Sequence, residues 1–317
     1  MAVKSTGLLT KGLRSEFFKT FEATPSNYGR WAERIPSNAN AETYRHLGQV
    51  PVMREWGTGR KAQGLNVETY TVANLKYEST LEVDRDEISD DQTGQIRRRV
   101  NEMAQRAATH KDYLISQLLI NGSTAGFLAS DGLPFFDASH AWGSSGTQAN
   151  ESNFDISSHV ATNGEPDNVD RIGPTTAAAA VSFAIGKMMV FKDDRGEPMN
   201  FTATGLEIVC HPEQYMSFLT AVSAGVLNQS QTVLPRFGIN VTPLPWLTNV
   251  STFYLLKTDG IMRPFVFQDR EPVEFHAEAE GSAEEFLREK YLYGVRARYR
   301  LTYGRWQHAY AIDITTD

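Results

Sequence analysis

An aspartate and a histidine three residues apart are the first candidates for chemistry. The segment FFDASHAW places Asp137 and His140 together, and His159 lies downstream. Carboxylate and imidazole groups can bind a metal ion or act as a general acid–base pair, so one hypothesis is a metal-dependent hydrolase. The sequence has no HExxH motif and no second carboxylate–histidine cluster at ligand spacing. A turn in which Asp137 accepts local hydrogen bonds is therefore favoured, and metal analysis of the purified protein would separate the two interpretations.

Three arginines alternate along a segment near the end of the sequence. Arg296, Arg298 and Arg300 occupy every second position of YLYGVRARYRLTYGRW, residues 291 to 306, with aromatic and aliphatic residues between them. Because a strand sends alternate side chains to opposite faces, we predict a strand with one aromatic face and one positive face. Arginines and aromatic rings also suit base stacking and phosphate contact, so a nucleic-acid-binding protein is a second hypothesis.

The composition of the chain argues against nucleic acid as the partner of these arginines. The 317 residues carry a formal net charge of -7, whereas binding to phosphates rests on positive charge. Carboxylates of the same molecule or of a neighbour are the commoner partners of such arginines. The candidates are Glu68, Glu78, Glu82, Glu284, Glu285 and Glu289.

Three further patterns are assigned structural roles. The segment GTGRKA, residues 57 to 62, lacks the spacing of a phosphate-binding loop, and no apolar strand precedes it. The aspartates between residues 84 and 91 suit the positive end of a helix better than a calcium loop. Cys210 lies in the apolar run LEIVC, which favours a buried structural thiol. No metal site and no cofactor are predicted.

The hydrophobic pattern predicts the elements that must position these residues. A helix from Thr93 to Ile120 would be roughly 40 Å long, which is typical of a strut. A helix from about residue 175, the buried strand LEIVC and a helix beginning near Pro212 predict a small α/β lobe. The last sixty residues are strand-like throughout, with STFYLL, RPFVF and PVEFH before the arginine segment.

Two regions have apolar residues without an evident local partner. Residues 1 to 56 mix aromatic residues with charges and show only a short helical pattern, Gly12 to Phe21, which favours an arm that lies across a neighbouring molecule. A loop wrapped on its own domain is the alternative. The alternation in 67–73 and 77–83 predicts a hairpin that must rest on another surface. Residues 143 to 170 are predicted to form an exposed loop.

Five segments in this order resemble the Mu-like phage major head subunit family, within the tailed-phage major capsid proteins of the Hong Kong 97-type fold. They are SNANAETYRHLGQVPVMREWGTGRK, YTVANLKYESTLEVDRDEISDDQTG, GLPFFDASHAW, MRPFVFQDREPVEF and EFLREKYLYGVRARYRLTYGRWQHAYA. The resemblance implies an α+β fold in five parts. They are an N-terminal arm (1–56), an extended hairpin loop (57–83), a peripheral lobe with a spine helix and an inserted loop (84–174), an axial α/β lobe (175–262) and C-terminal strands that return to an antiparallel peripheral sheet (263–317).

The resemblance further implies a structural protein without catalytic residues. Hexamers and pentamers of the chain would form an icosahedral shell around packaged double-stranded DNA, without sequence-specific binding, in the cytoplasm of a bacterial host. The implied partners are a separate scaffolding protein, a protease, a portal protein and a decoration protein, with no membrane. The residues predicted to contact other subunits are Arg60, Lys61, Tyr77, Arg296, Arg298 and Arg300.

Overall fold

The computed structural model describes residues 6–47, 67–91, 94–140, 151–156, 172–192, 198–199, 201–227, 229–260, 262–279 and 281–314. Its helices are α1 (Thr6–Ala23), α2 (Tyr28–Trp31), α3 (Arg85–Asp90), α4 (Gln95–Asn121), α5 (Pro174–Met189), α6 (Tyr215–Ser223) and α7 (Ala283–Arg288). Its strands are β1 (Ala32–Pro36), β2 (Ala41–Leu47), β3 (Val67–Ala73), β4 (Leu75–Asp84), β5 (Phe154–Ile156), β6 (Leu206–Cys210), β7 (Val226–Leu227), β8 (Ser230–Gln231), β9 (Asn240–Pro243), β10 (Thr252–Lys257), β11 (Phe265–Glu278), β12 (Lys290–Tyr303) and β13 (Ala309–Asp313).

One sheet has the strand order β1-β11-β12-β4 and supports α1 and α4. Strands β11 and β12 are antiparallel and contain 14 residues each. Along β12 every second residue is buried, which confirms the predicted aromatic face and charged face. The buried face forms a hydrophobic core with the two helices, in which Phe17 of α1 and Val100 of α4 pack near Phe275 and Tyr293.

The long helix predicted between Thr93 and Ile120 is α4, with 27 residues. Thr93 itself lies outside the described residues. The carboxylate of Asp91 accepts hydrogen bonds from the backbone N–H groups of Gln95 and Ile96, so an aspartate satisfies the first turn. The helix ends at Asn121 and is followed by Gly122, where a Cβ atom would lie 2.4 Å from the ring of Phe136.

The second sheet has the order β5-β13-β10-β6-β9 and is covered by α5 and α6. All five residues of β6 are buried, and burial raises the pKa of the Cys210 thiol to about 12. The predicted helix–strand–helix unit is therefore confirmed. The five-stranded sheet also takes β13, the last strand, which the sequence assigned to the peripheral sheet.

The predicted pairing of 67–73 with 77–83 is wrong. Both segments are strands, but β3 pairs with β2, and β4 pairs with β12 in the four-stranded sheet. Asn74, which separates β3 from β4, is buried and donates to Ser37 Oγ and Ala39 O. These hydrogen bonds hold the backbone where the chain passes from the two-stranded sheet of β3 to the four-stranded sheet of β4, and no hairpin turn joins the two strands.

The prediction that the N-terminal aromatic residues lack a local partner is also wrong for the described part of that region. Phe17 and Trp31 have no exposed surface, and Tyr28 packs against the ring of Phe267 at 5.2 Å. The carboxylate of Asp112, buried in α4, accepts hydrogen bonds from Ser26 Oγ and from the backbone N–H groups of residues 27 and 28. The described part of the region, residues 6–47, packs on its own subunit. The sequence pattern did not show these contacts because the partner residues lie far away in sequence.

Two smaller predictions also need correction. Within the predicted loop 143–170, residues Phe154–Ile156 form β5 and pair with β13, and Asn153 is fully buried. The segments RPFVF and PVEFH are parts of one strand, β11, which contains register shifts between Asp269 and Glu274.

Candidate assembly surfaces and the arginine strand

The three alternating arginines of β12, named here the arginine strand, lie on the face of the sheet that is not covered by α4. Arg298 Nη1 lies 2.8 Å from Glu271 Oε1, and Arg296 Nη1 lies 2.8 Å from Glu271 Oε2. Glu274 is a more distant partner, 4.0 Å from Arg296. One carboxylate on the neighbouring strand therefore holds two of the three arginines by charge-assisted hydrogen bonds.

The irregularity of β11 creates this arrangement. Register shifts on both sides of Glu271 place it opposite Arg298 while its second oxygen reaches Arg296. The hydrogen bond from Arg298, together with the charge of Arg296, lowers the pKa of the Glu271 carboxyl below its usual value. Within the part of the chain that the structure describes, Arg300 forms no ion pair.

Arg296 and Arg298 pair with carboxylates of the same chain, one of the two kinds of protein partner that the sequence offered, and contacts of the arginine strand with other subunits stay a prediction. Glu271 and Glu274 are not among the six carboxylates that the sequence offered as candidates, because only the bulged register of β11 brings them opposite the arginines. The nucleic-acid hypothesis gains no support from this face, where negative side chains already neutralise much of the positive charge.

Tyr77 is half-buried in an aromatic cluster beneath the sheet, and its contact with another subunit stays a prediction. Its ring centre is 4.8 Å from that of Tyr299 and 4.7 Å from that of His110. His110 Nδ1 lies 2.6 Å from the Tyr299 hydroxyl. Burial lowers the pKa of His110 and raises the pKa of Tyr77, so both side chains favour their neutral forms. These residues line a cavity of about 180 Å³ between α4 and the sheet.

Strands β2 and β3 form an antiparallel hairpin whose base is fixed to the four-stranded sheet by Gln268. This fully buried amide donates to Asn74 Oδ1 at 2.7 Å and accepts from the Tyr44 hydroxyl at 2.6 Å. The hydroxyl of Tyr70 donates to the backbone oxygen of Tyr303 at 2.8 Å. The described base of the hairpin is thus part of its own subunit. Arg60 and Lys61 lie outside the described residues.

His140 belongs to a buried structural network. Its Nδ1 lies 2.6 Å from Asp131 Oδ2, its Nε2 lies 3.1 Å from Asn153 Oδ1, and its ring stacks on Trp306. Asp137 instead accepts hydrogen bonds from the backbone N–H and hydroxyl of Ser139, which is the predicted local turn. The side chains of the two residues of the hydrolase hypothesis therefore have different partners, although the backbone N–H of Asp137 and Nε2 of His140 both contact Asn153 Oδ1.

Neither a metal cluster nor a membrane span is found in the described parts of the chain. No group of three or more histidine, cysteine, aspartate or glutamate side chains is placed to hold a metal ion there. No described helix is long and apolar enough to cross a membrane. The candidate surfaces for assembly in the described parts are the hairpin base, the charged face of the four-stranded sheet and the strand edges.

Solved structures that share this fold come from capsids. A chain of the procapsid of bacteriophage JBD30 matches with a TM-score of 0.59 at 22% identity, covering 100% of this chain and 77% of that chain. The capsid of cyanophage P-SCSP1u matches with a TM-score of 0.56 at 12% identity, covering 93% and 89%. The virus-like particle from Pyrococcus furiosus gives a TM-score of 0.55 at 10% identity, covering 96% and 99%. The fold is the α+β Hong Kong 97-type fold of capsid subunits.

The family follows from the sequence. The model of the Mu-like prophage major head subunit gpT matches residues 7–163 and 247–316, and the chain belongs to this family. It is 35% identical to the major capsid protein of Escherichia phage Mu over 127 residues, which are 40% of this chain and 41% of the phage Mu protein. It is 23% identical to the Mu-like prophage FluMu major head subunit of Haemophilus influenzae over 311 residues, covering 96% of this chain and 73% of that protein. The match to the phage Mu protein thus spans less than half of that protein's length.

The members of this family are structural head subunits and not enzymes. Neither the hydrolase hypothesis nor the nucleic-acid-binding hypothesis gains support from the family or from the solved structures.

Proposed function

We propose that this chain is a major head subunit that assembles as hexamers and pentamers into an icosahedral shell around packaged double-stranded DNA. The observation that carries the proposal is the combination of family and fold. The head-subunit family model matches residues 7–163 and 247–316, and the match to the JBD30 procapsid chain covers all of this chain. In this proposal the chain is made in the cytoplasm of a bacterial host and ends in the virion capsid.

The parts of the subunit are proposed to divide the work. The four-stranded sheet with α1 and α4 would form the peripheral lobe, and α5, β6 and α6 would form most of an axial lobe that meets the symmetry axes of the rings. The hairpin of β2 and β3 would carry residues 48–66, with Arg60 and Lys61, to a neighbouring subunit. The hydrogen bonds of Gln268 at the base of the hairpin support this role, because a hairpin can position a contact at its far end only if its base is held in a fixed orientation.

We further propose that DNA is enclosed without sequence-specific contacts. The net charge of -7 and the carboxylates that hold Arg296 and Arg298 leave little positive surface for a tight grip on phosphates. A separate scaffolding protein, a protease, a portal protein and a decoration protein remain the proposed partners. Helix α1 packs against α4 in the core of the subunit, so residues 6–23 do not form an independent scaffold.

The test is assembly of the purified protein. Expressed alone and together with the products of neighbouring genes, it is expected to sediment as rings, shells or tubes that are visible by negative-stain electron microscopy. A monodisperse 35.4 kDa species under every condition, including the presence of the scaffolding protein, would contradict the proposal.

A further inference from the structure

Strand β4 forms an open edge of the four-stranded sheet. It contains ten residues and pairs along one side with β12. Among the strands that the structure describes, none pairs with its other side. Most of its residues are exposed, including Leu75, whose exposed fraction is 40%. A long strand edge presents a row of backbone N–H and C=O groups and is a template for another strand.

We infer that β4 pairs antiparallel with β4 of a second copy of this chain, with Ser79 opposite Ser79. This inference rests on the proposed assembly, because it requires a second copy at high local concentration. It names a contact that neither the family nor the fold assigns. The two sheets would then continue into one sheet of eight strands across a two-fold axis.

The sequence of β4 complements itself in this register. Lys76 lies opposite Glu82 of the second copy, and Glu82 lies opposite Lys76, which gives two pairs of opposite charge at each contact. On the other face Tyr77 lies opposite Leu81, and Leu75 lies opposite Val83. The remaining central pair is Glu78 opposite Thr80, so no pair in this register places like charges opposite each other.

Within its own subunit Lys76 lacks the partner that this contact supplies. Its cross-strand neighbour is Arg298, a like charge, and Arg298 is already bound to Glu271. Among the described residues Lys76 forms no ion pair, whereas Glu82 pairs with Lys290. Like charges directly opposite each other are unfavourable, so a carboxylate from a second copy would relieve this site.

The symmetry of the contact determines which copies it joins. Neighbours around a five-fold or six-fold axis contact each other head to tail, through two different surfaces. A strand that pairs with itself forms an isologous contact, which has two-fold symmetry. The β4 contact therefore joins copies from two different rings, and its loss is expected to leave rings that cannot close into shells.

The first test exchanges the charges. Lys76→Glu and Glu82→Lys are each expected to reduce the yield of shells about tenfold or more, because each places two like charges across the contact. Mixing the two variants restores both opposite-charge pairs and is expected to restore shells. Lys76→Gln, which removes the charge without repulsion, is the matched control and should have a smaller effect. Lys76→Glu also places a carboxylate opposite Arg298, so its urea midpoint should not fall.

The second test is a disulfide at the two-fold axis. Ser79→Cys is expected to give a covalent dimer under oxidation, because the Cβ atoms of directly opposite residues lie within about 1 Å of the separation that a disulfide needs. Thr80→Cys is the matched control, since two copies of residue 80 lie diagonally at about 7–8 Å and should cross-link about tenfold less. Cys210 is buried and does not compete.

The two proposals fail in different ways. If the wild-type protein forms shells and all three charge variants do so equally well, with no dimer from Ser79→Cys, the β4 contact is overturned and the edge is covered by another protein or stays open. If the wild-type protein forms no particles, the proposed function fails. Oxidation of concentrated Ser79→Cys then still decides the β4 contact by the presence or absence of the dimer.

Discussion

The buried histidine His308 makes a sharp prediction about pH. The residue is only 7% exposed, and its ring packs edge-on against Phe201. Among the described residues its Nδ1 has no hydrogen-bond partner. Burial, with the nearby charges of Arg305 and Lys257, lowers the pKa of His308 from 6.5 to about 4. The folded subunit therefore keeps this imidazole neutral under conditions in which the unfolded chain protonates it.

The sign and size of the effect follow from proton linkage. Above pH 6.5 both states are neutral, and the group does not change the free energy of unfolding with pH. Between pH 6.5 and about 4 the unfolded chain binds a proton that the folded subunit does not, so stability falls as the pH falls. At about 1.4 kcal/mol per pH unit the full interval amounts to roughly 3 kcal/mol, of which about 2 kcal/mol is lost by pH ~5.

The assay is urea unfolding of the unassembled subunit at about pH 7.5 and about pH 5, because assembly would add a concentration-dependent contribution. Wild type is compared with His308→Phe, which keeps an aromatic ring in the site but cannot bind a proton. Carboxylates titrate equally in both proteins, so the difference between them isolates His308. His276→Gln, at a residue with a largely exposed side chain, is the control and should follow wild type. A pH-dependent loss in His308→Phe as large as that of wild type would refute the reasoning.

Three further predictions concern contacts within the subunit and the hairpin. Asp112→Ala should lower the free energy of unfolding by about 3 kcal/mol, because it leaves two backbone N–H groups and a hydroxyl without their buried acceptor. Asp112→Asn keeps one acceptor oxygen and should lower the free energy of unfolding by less. Equal urea midpoints for the two variants would contradict this prediction. Arg298→Glu should impair subunit stability or shell formation to the same extent with and without DNA, and normal empty shells that fail to retain DNA would show instead that the arginine strand binds nucleic acid. Replacing residues 48–66 by an Asn-Gly turn should leave the melting temperature within about 2 °C, since Leu47 and Val67 are already a cross-strand pair that a two-residue turn can join. The same variant should form no shells, because it lacks the proposed contact with a neighbouring subunit. Wild-type shells from this variant would exclude residues 48–66 as an assembly contact.

The local sequence pattern was sufficient to predict those helices and strands that bury a single face or are buried throughout. The alternation of β12, the continuous apolar run of β6 and the stripe along α4 each follow from a single face that must be covered. These elements were predicted correctly because their periodicity reflects the surface on which they pack. The bounds predicted from the sequence differ from the observed ones by only a few residues, as at the start of α4, where Asp91 accepts hydrogen bonds from the first N–H groups.

Which distant segments pair with each other could not be predicted from local periodicity. Strands β3 and β4 both alternate and adjoin in sequence, which is the pattern of a hairpin, yet each has a better partner elsewhere. The partner of Arg298 depends on a bulge in β11 that shifts the register by an amount no periodicity reveals. The aromatic residues of α1 have no partner nearby in sequence, because Phe275, which packs on Phe17, lies more than 250 positions away.

The corrected contacts change where the energy of assembly must come from. The side chains of Phe17, Trp31, Asp112 and Gln268 are all buried within one subunit, so they stabilise the monomer and are not available for contacts between copies. A contact between subunits can use only groups that the monomer leaves unsatisfied. In the described part of the chain the β4 edge combines open backbone groups with a lysine that faces a like charge. Strand pairing there would add backbone hydrogen bonds and relieve that repulsion together, which makes the edge strand a better source of shell stability than the aromatic residues that first suggested an arm.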